Sequence, residues 1–210
     1  MVNKIKAVLF DMDGVLIDAK EWHYEALNKA LGLFGIEISM YDHLTTFDGL
    51  PTKVKLEMLS KRYYLPEELH SFVNEVKQDY TSEMIDTKCH PTFNHEYALS
   101  KLHYMGYKIA VCSNSIRKTI IHMMEKAELT PYLDLIVSNE DVTKAKPDPE
   151  MYQTAMKKLG LKPEECIVVE DNPNGIQAGK AAGAKVLEVS TVHDVNFENI
   201  IRLIREVEND

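Results

Sequence analysis

The chain has 210 residues, of which 45% are hydrophobic and 27% charged, so it is long enough for one domain with an insertion around a substantial apolar core. Its 33 acidic residues outnumber the 24 lysines and arginines, and the chain has no long Lys/Arg run, which argues against a nucleic-acid partner. No segment has the length of a membrane span and we expect no signal peptide, so we predict a cytoplasmic protein without a membrane partner.

The first predicted element is a short strand over residues 7–10, followed by Asp11 and Asp13 and then by Gly14. A strand projects alternate side chains to one side, so both carboxylates can face one site, and glycine allows a sharp turn. Carboxylates this close repel each other unless a cation or a shared proton intervenes, which predicts a metal and acid–base chemistry. A turn or a calcium loop is the alternative, but apolar residues 15–17 do not supply the further oxygen ligands of an EF-hand loop.

Residues 18–88 contain helical patterns and no convincing strand. The helical patterns cover residues 20–35, 53–63 and 67–85. Pro66 and the two glutamates after it provide a favourable start for the third helix. We therefore predict a helical cap over residues 18–88, inserted into a core formed by residues 1–17 and 89–210.

The rest of the chain alternates between apolar runs and helical segments. The predicted strands cover residues 109–112, 133–137, 167–169 and 186–189, and the predicted helices cover residues 96–105, 116–127, 151–159 and 175–182. Strands without polar alternation, separated by helices, are typical of a parallel sheet covered on both faces. The prediction is an α/β fold with a Rossmann-like open sheet and reduced, buried cysteines at positions 89, 112 and 166.

Polar side chains follow the predicted strands, at the edge where open parallel sheets bind ligands. The two aspartates follow the first strand, and Ser113 and Asn114 follow the second, just before a helix N-terminus suited to a phosphate oxygen. Lys146 lies in the loop after the third strand, and Glu170 and Asp171 follow the fourth. We therefore expect acids, anion donors and a lysine to converge on one site.

These residues form short motifs whose order is similar to that of the haloacid dehalogenase superfamily. The motifs are Asp11-Met12-Asp13-Gly14-Val15, Ser113-Asn114, Lys146-Pro147 and Glu170-Asp171. Their longer versions, at residues 146–149 and 170–179, resemble the subgroup that contains β-phosphoglucomutase and many sugar-phosphate phosphatases. The resemblance spans the whole chain and implies an aspartyl-phosphate intermediate, a Mg²⁺ cofactor and a mobile cap.

The resemblance assigns distinct roles to the acidic residues. Asp11 would attack phosphorus, while Asp13 would protonate the leaving oxygen and then activate the water that releases phosphate. Mg²⁺, which prefers oxygen ligands, would be held by Asp11, the backbone carbonyl of Asp13, and Asp171. Glu170 would bind the metal directly or through water. As an alternative, Glu170 and Asp171 favour the start of the following helix, which does not exclude metal binding.

Ser113, Asn114 and Lys146 are the predicted phosphate-binding residues. Fixed electrostatics at such positions stabilises the charge that develops on a transferring phosphoryl group. Each has a plainer alternative, because Ser113 and Asn114 can merely cap the next helix and Lys146 can be a solvated loop lysine. Lys144 is nearby, but the Lys-Pro-x-Pro pattern selects Lys146.

The predicted substrate contacts of the cap are Asp48, Gly49, Thr52, Lys53 and His23. Residues 45–53 resemble the specificity loop of the subgroup, hinged at Gly49, but Asp48 and Thr52 stand where β-phosphoglucomutase has a lysine and an arginine. Aspartate repels a second phosphate and threonine lacks the arginine fork, with Lys53 compensating in part, so these departures favour hydrolysis over a mutase. His23 contacts substrate near the hinge or is an ordinary packed histidine.

The leading hypothesis is a Mg²⁺-dependent phosphomonoester hydrolase that acts on a small phosphorylated metabolite, such as a sugar or polyol phosphate. The alternatives are a β-phosphoglucomutase-like sugar phosphomutase and a non-catalytic phospholigand-binding protein. A binding protein needs no nucleophile beside a proton donor, so the motif set favours an enzyme. The sequence leaves the oligomeric state open.

Overall fold

The computed structural model describes residues 4–209 and contains a five-stranded parallel sheet in the order β3-β2-β1-β4-β5. The strands are β1 Ala7–Phe10, β2 Lys108–Cys112, β3 Leu135–Val137, β4 Cys166–Glu170 and β5 Lys185–Glu188. β1 lies at the centre, between β2 and β4. This topology confirms the predicted α/β fold with a Rossmann-like open sheet. Strand β3 begins two residues later than predicted because the turn Thr130–Tyr132 precedes it.

The helices follow the predicted alternation. They are α1 Lys20–Gly32, α2 Met40–Asp42, α3 Thr52–Tyr63, α4 His70–Lys88, α5 Phe93–Tyr104, α6 Arg117–Lys126, α7 Glu150–Leu159, α8 Pro173–Ala181 and α9 Phe197–Asn209. The predictions did not include the short helix α2, the π-helical turn His43–Phe47 or helix α9. Helix α9 buries Ile200, Ile201 and Ile204, which are spaced for one helix face.

The sheet is covered on both faces because its central strands carry apolar side chains on both sides. Val8 and Phe10 of β1 pack in one cluster with side chains of α5, α6 and α9, whereas Ala7 and Leu9 pack in another with α7 and α8. Burying each large side chain contributes roughly 1.5–3 kcal/mol relative to exposure. The central strand is therefore held by packing on both faces, which also fixes the positions of the residues that follow it.

Helices α1, α3 and α4 and the turn His43–Phe47 share a separate apolar cluster. It contains Leu27 and Leu31 of α1, Phe47 of the turn, Leu56 of α3 and Val73 of α4. Helix α4 ends at Lys88, and the next residue, Cys89, packs in the core below. The domain boundary between residues 88 and 89 stays a prediction. The three cysteines are free and buried, as predicted.

Backbone hydrogen bonds bring the strand ends into line. The Asp11 N–H donates to the Val169 carbonyl at 3.0 Å, and the Ser113 N–H donates to the Val137 carbonyl at 3.0 Å. The residues after β1, β2 and β4 therefore share one edge of the sheet. In the part of the chain described here, no helix has the length and apolar character needed to cross a bilayer.

Candidate active site

A buried lysine holds Asp11 at the carboxyl end of β1. The Lys146 ammonium donates to Asp11 Oδ1 at 2.7 Å, to Glu170 Oε1 at 2.7 Å and to the Cys112 carbonyl at 2.8 Å. Burial and the Glu170 charge raise the pKa of Asp11 well above its usual range, against the opposing effect of Lys146. Burial lowers the pKa of Lys146, but Asp11 and Glu170 outweigh it and raise this pKa overall. Lys146 therefore remains a cation between two acids.

Glu170 is saturated with hydrogen bonds. Its Oε1 accepts from Lys146 and from the Tyr152 hydroxyl at 2.7 Å, and its Oε2 accepts from the N–H groups of Asp171 at 3.1 Å and Asn172 at 3.3 Å. Tyr152 also places its ring 4.7 Å from the Lys146 ammonium, a cation–π distance. These contacts fix Glu170 and Lys146 in one geometry.

Asp171 completes a group of three acids that suits a hard cation. One oxygen each from Asp11, Glu170 and Asp171 lies within 4.8 Å of the others. Asp171 Oδ2 pairs with Lys20 at 2.6 Å, whereas Oδ1 is buried with no hydrogen-bond partner in the described part of the chain. Burial raises the pKa of Asp171, with Lys20 opposing. An oxygen-only cluster with an orphaned carboxylate oxygen fits Mg²⁺.

Two glycines leave the space that the carboxylates of Asp171 and Glu170 occupy. A β-carbon at Gly14, which has φ +91°, would overlap Asp171 Oδ2, and a β-carbon at Gly175 would overlap the Glu170 carboxylate. No other residue fits either position without moving an acid.

We expect Gly175→Ala to lower the free energy of unfolding by about 1–3 kcal/mol, because the added methyl overpacks against a carboxylate held by four hydrogen bonds. Gly32→Ala is the matched control, since nothing lies within 4 Å of its added β-carbon. That change should cost nothing or stabilise by up to about 1 kcal/mol, as alanine is the better helix former. Denaturant titration measures both, and equal stability of the two variants would show that Gly175 is not needed for space.

The Asp13 carboxylate lies outside the three-acid cluster and has its own partners. His23 Nε2 donates to Asp13 Oδ1 at 2.9 Å, and the Ser115 hydroxyl donates to Oδ2 at 3.3 Å. Lys77 donates to the other His23 nitrogen at 3.4 Å. Burial raises the pKa of Asp13, but His23 and Lys77 outweigh it and lower this pKa overall. Asp11 and Asp13 thus sit in opposite electrostatic environments.

Asn114 and Asn172 connect the core to the loop around Gly49. Asn114 donates to the Gly49 carbonyl at 2.8 Å and accepts from the Lys146 N–H at 3.3 Å, so its amide contacts backbone rather than the cavity centre. Asn172 donates to Asp48 Oδ2 at 2.9 Å and caps α8. Asn172 therefore links the start of α8 to the cap loop, whereas the phosphate contact predicted for Asn114 competes with both of the contacts that its amide makes.

The remaining predicted residues border one cavity of about 410 Å³ between these loops and the cap helices. Ser113 is buried and its hydroxyl oxygen accepts from the Ser115 N–H at 3.1 Å. Thr52 and the exposed Lys53 lie at the start of α3. The volume is that of a small-molecule site.

Several residues of this cavity were not among the predicted site residues: Lys20, His43, Lys55 and Lys77. Tyr152, which holds Glu170 from outside the cavity, was not predicted either. Two of the cavity residues carry a signal in the sequence. Lys77 lies four residues after Val73, and Lys55 lies four residues before Leu59, so each lysine occupies the buried face of its helix. A charge on the apolar stripe of a helix indicates a special role because its burial is unfavourable.

Comparison with known proteins identifies the family. The family model of haloacid dehalogenase-like hydrolases matches residues 8–189. A phosphorylated carbohydrates phosphatase from Thermotoga maritima is 27% identical over 97% of this chain and 100% of its own length. A phosphoglycolate phosphatase from Aquifex aeolicus is 32% identical over 86% of this chain and 83% of its own.

A solved structure with the same fold is β-phosphoglucomutase from Clostridium difficile. It superposes with a TM-score of 0.84 at 26% identity, covering 96% of this chain and 98% of the other. The extent of the family match, together with the acids and lysine gathered at one edge of the sheet, shows that the chain belongs to the haloacid dehalogenase-like hydrolases.

Proposed function

We propose that this chain is a Mg²⁺-dependent phosphatase that hydrolyses a small phosphorylated metabolite, of the sugar or polyol phosphate type, through phosphorylated Asp11. At the coarser level, hydrolysis or transfer of a phosphate ester follows from the family and its phosphatase relatives. The observation that carries the proposal is the separation of two nearby aspartates into different environments, one fixed by Lys146 and one by His23. Enzymes divide nucleophilic and acid–base roles between carboxylates in this way.

Asp11 is the proposed nucleophile. Its carboxylate lies at the strand end with one oxygen fixed by Lys146, so its orientation toward phosphorus is set before substrate arrives. A carboxylate oxygen forms the new bond to phosphorus while the bond from phosphorus to the leaving oxygen breaks. Lys146 keeps positive charge beside the reacting group throughout. All three of its donors contact protein oxygens, so a direct phosphate contact requires one of these bonds to be exchanged.

Asp13 is the proposed proton carrier. In the first step its carboxylic acid protonates the leaving oxygen, and in the second its carboxylate takes a proton from the water that attacks the phosphorylated Asp11. His23 and Lys77 favour the ionised form of Asp13 in the free enzyme. A phosphate dianion beside Asp13 favours the protonated form, so proton uptake accompanies substrate binding.

Asp11, Asp171 and the Asp13 carbonyl would hold the Mg²⁺, and the hydrogen-bonded state of Glu170 supports its contact through water. The ion supplies positive charge that lets an anionic carboxylate approach an anionic phosphate. Asp171 Oδ1, which is buried and lacks a hydrogen-bond partner among residues 4–209, would be satisfied by such a cation.

We expect chelation with EDTA to reduce phosphate release by at least about 10³-fold, since charge neutralisation by a metal contributes several kcal/mol to the barrier. Added Mg²⁺ should restore the rate. The assay measures inorganic phosphate from a panel of sugar and polyol phosphates, with and without chelator. Undiminished release by a metal-free sample would exclude the metal from the reaction.

The relatives indicate the substrate class. The phosphatase of phosphorylated carbohydrates, similar over the whole chain, supports a sugar phosphate, and the phosphoglycolate phosphatase supports a small ester. The cavity of about 410 Å³ has room for a metabolite. We propose a cytoplasmic location and no nucleic-acid or membrane partner, from the composition and the acidic balance of the chain.

A phosphomutase is the second candidate, favoured by the structural likeness to β-phosphoglucomutase. Phosphorus NMR distinguishes the two activities on hexose 1-phosphates in the presence of a bisphosphate primer. A mutase yields the isomeric ester with little free phosphate, whereas we expect free phosphate as the main product. The hydrolase family and its phosphatase relatives support an enzyme over the non-catalytic binding alternative.

A further inference from the structure

Two lysines of the cap are buried at the cavity without a carboxylate partner. Lys55 on α3 and Lys77 on α4 are 8% and 7% exposed, and both line the cavity. Within residues 4–209, neither ammonium has a carboxylate oxygen within 4 Å. Burial and the charge of Lys55 lower the pKa of Lys77 to about 7. Burial disfavours the charged form of both lysines, so an anion bound in the cavity would stabilise their cations.

The nearby acids already have partners. Asp13 accepts from His23 and Ser115, and Asp48 accepts from Asn172 at 2.9 Å with Lys20 at 3.8 Å. Neither carboxylate is therefore free to neutralise the two lysines at close range. Asp13 and Asp48 only partly offset the burial of the two lysines, and an anion bound in the cavity would supply the remaining counter-charge.

His43 is a further buried polar side chain at the same cavity. Its side chain is 1% exposed, and among residues 4–209 neither ring nitrogen has a partner within hydrogen-bond geometry. Burial and the neighbouring Lys55 lower the pKa of His43 to about 4, so the ring is neutral and one nitrogen is a donor. A buried donor of this kind is normally satisfied, which again indicates a ligand.

We propose that Lys55, Lys77 and His43 form a subsite for a second anionic group, a phosphate or a carboxylate, on the leaving group of the substrate. The inference rests on the proposed function, since the subsite lies beside Asp13, the residue assigned to the leaving oxygen. This subsite also changes the interpretation of Asp48 and Thr52 in the cap loop, because their lack of positive charge no longer argues against a second anionic group. The cations that these positions lack are supplied by Lys55, one helical turn farther along α3, and by Lys77 on α4.

Matched pairs of esters test the subsite. Phosphoglycolate and ethyl phosphate differ by a carboxylate, and the bisphosphate and monophosphate of propane-1,3-diol differ by a phosphate. We expect kcat/KM of the wild-type enzyme to be about tenfold to a hundredfold higher for the charged member of at least one pair. The pair that shows the preference identifies the anion. Equal rates within both pairs would overturn the proposal and need no variant.

Variants of the cap lysines test which residues cause the preference for charged esters. Lys55→Met should reduce the charged-to-neutral ratio of kcat/KM by about tenfold or more, whereas Lys55→Arg, which keeps the cation, should retain most of it. Lys61→Met is the matched control, an exposed lysine on the same helix, and should leave the ratio unchanged. A loss that is equal for charged and neutral esters in Lys55→Met would contradict an anion subsite.

Binding separates this inference from the proposed function. Calorimetry with Asp11→Asn and the same four esters gives the ratio of dissociation constants without turnover. A preference for the charged esters supports the subsite even if the enzyme hydrolyses none of them. Hydrolysis with no preference in binding or rate leaves the proposed function standing and excludes the subsite.

Discussion

Asp11→Asn should lower kcat for phosphate release by at least about 10⁴-fold, because the amide that replaces the nucleophile neither attacks phosphorus nor carries its charge. The loss should be chemical and not structural. Burial and Glu170 raise the pKa of Asp11, so its ionised form is unfavourable in the folded chain above its unfolded pKa. The amide oxygen can still accept from Lys146. The variant should therefore unfold at no lower temperature than the wild type at pH 7.

Asp18→Asn is the matched control for this substitution. Asp18 is exposed and lies just beyond the loop that follows β1. It should retain full activity and stability. Steady-state phosphate release and thermal unfolding, measured on both variants, separate the role of Asp11 from a general effect of removing an acid. Activity in Asp11→Asn within tenfold of the wild type would show that another group attacks phosphorus.

Asp13→Asn should reduce turnover of alkyl phosphates by about 10²–10⁴-fold, the usual contribution of a general acid or base. An alkoxide is a poor leaving group and needs the proton, whereas p-nitrophenolate leaves without one. Formation of the phosphorylated enzyme from p-nitrophenyl phosphate should therefore persist in this variant, followed by slow release of phosphate because water lacks its base.

Rapid mixing distinguishes these steps. We expect a burst of p-nitrophenol of about one equivalent per chain in Asp13→Asn, and then a slow steady rate. His23 and Ser115, which hold the Asp13 carboxylate, remain available to the asparagine side chain. If the variant loses activity toward alkyl and aryl phosphates to the same extent and shows no burst, the acid–base assignment to Asp13 is wrong.

The architecture of the core could be predicted because short apolar runs alternate with helices and the polar residues follow the strands. Asp11 and Glu170 come together once β1 pairs with β4, and Lys146 approaches them in the loop that precedes α7. The exact partners could not be predicted. The contact between Asn114 and the Gly49 carbonyl depends on where the cap lies, and no local sequence pattern indicates that position.

The cap was predicted least well, since its side chains act through tertiary placement. The resemblance to the specificity loop led us to predict Asp48 and Thr52 as substrate contacts. The lysines that line the cavity lie instead on helices whose composition does not distinguish them from other helices. Lys55 and Lys77 point inward because their neighbours one turn away are apolar and buried. His43 belongs to a π-helical turn, a rare element that sequence periodicity does not indicate.

The most direct test of the mechanism is covalent trapping. Asp13→Asn is mixed with ³²P-labelled p-nitrophenyl phosphate and Mg²⁺, quenched in acid, digested and mapped by mass spectrometry. We expect about one phosphoryl group per chain, attached to Asp11 and absent when Asp11 is also replaced by asparagine. A chain that releases labelled phosphate yet never carries the label, or carries it on another residue, would contradict the role of Asp11.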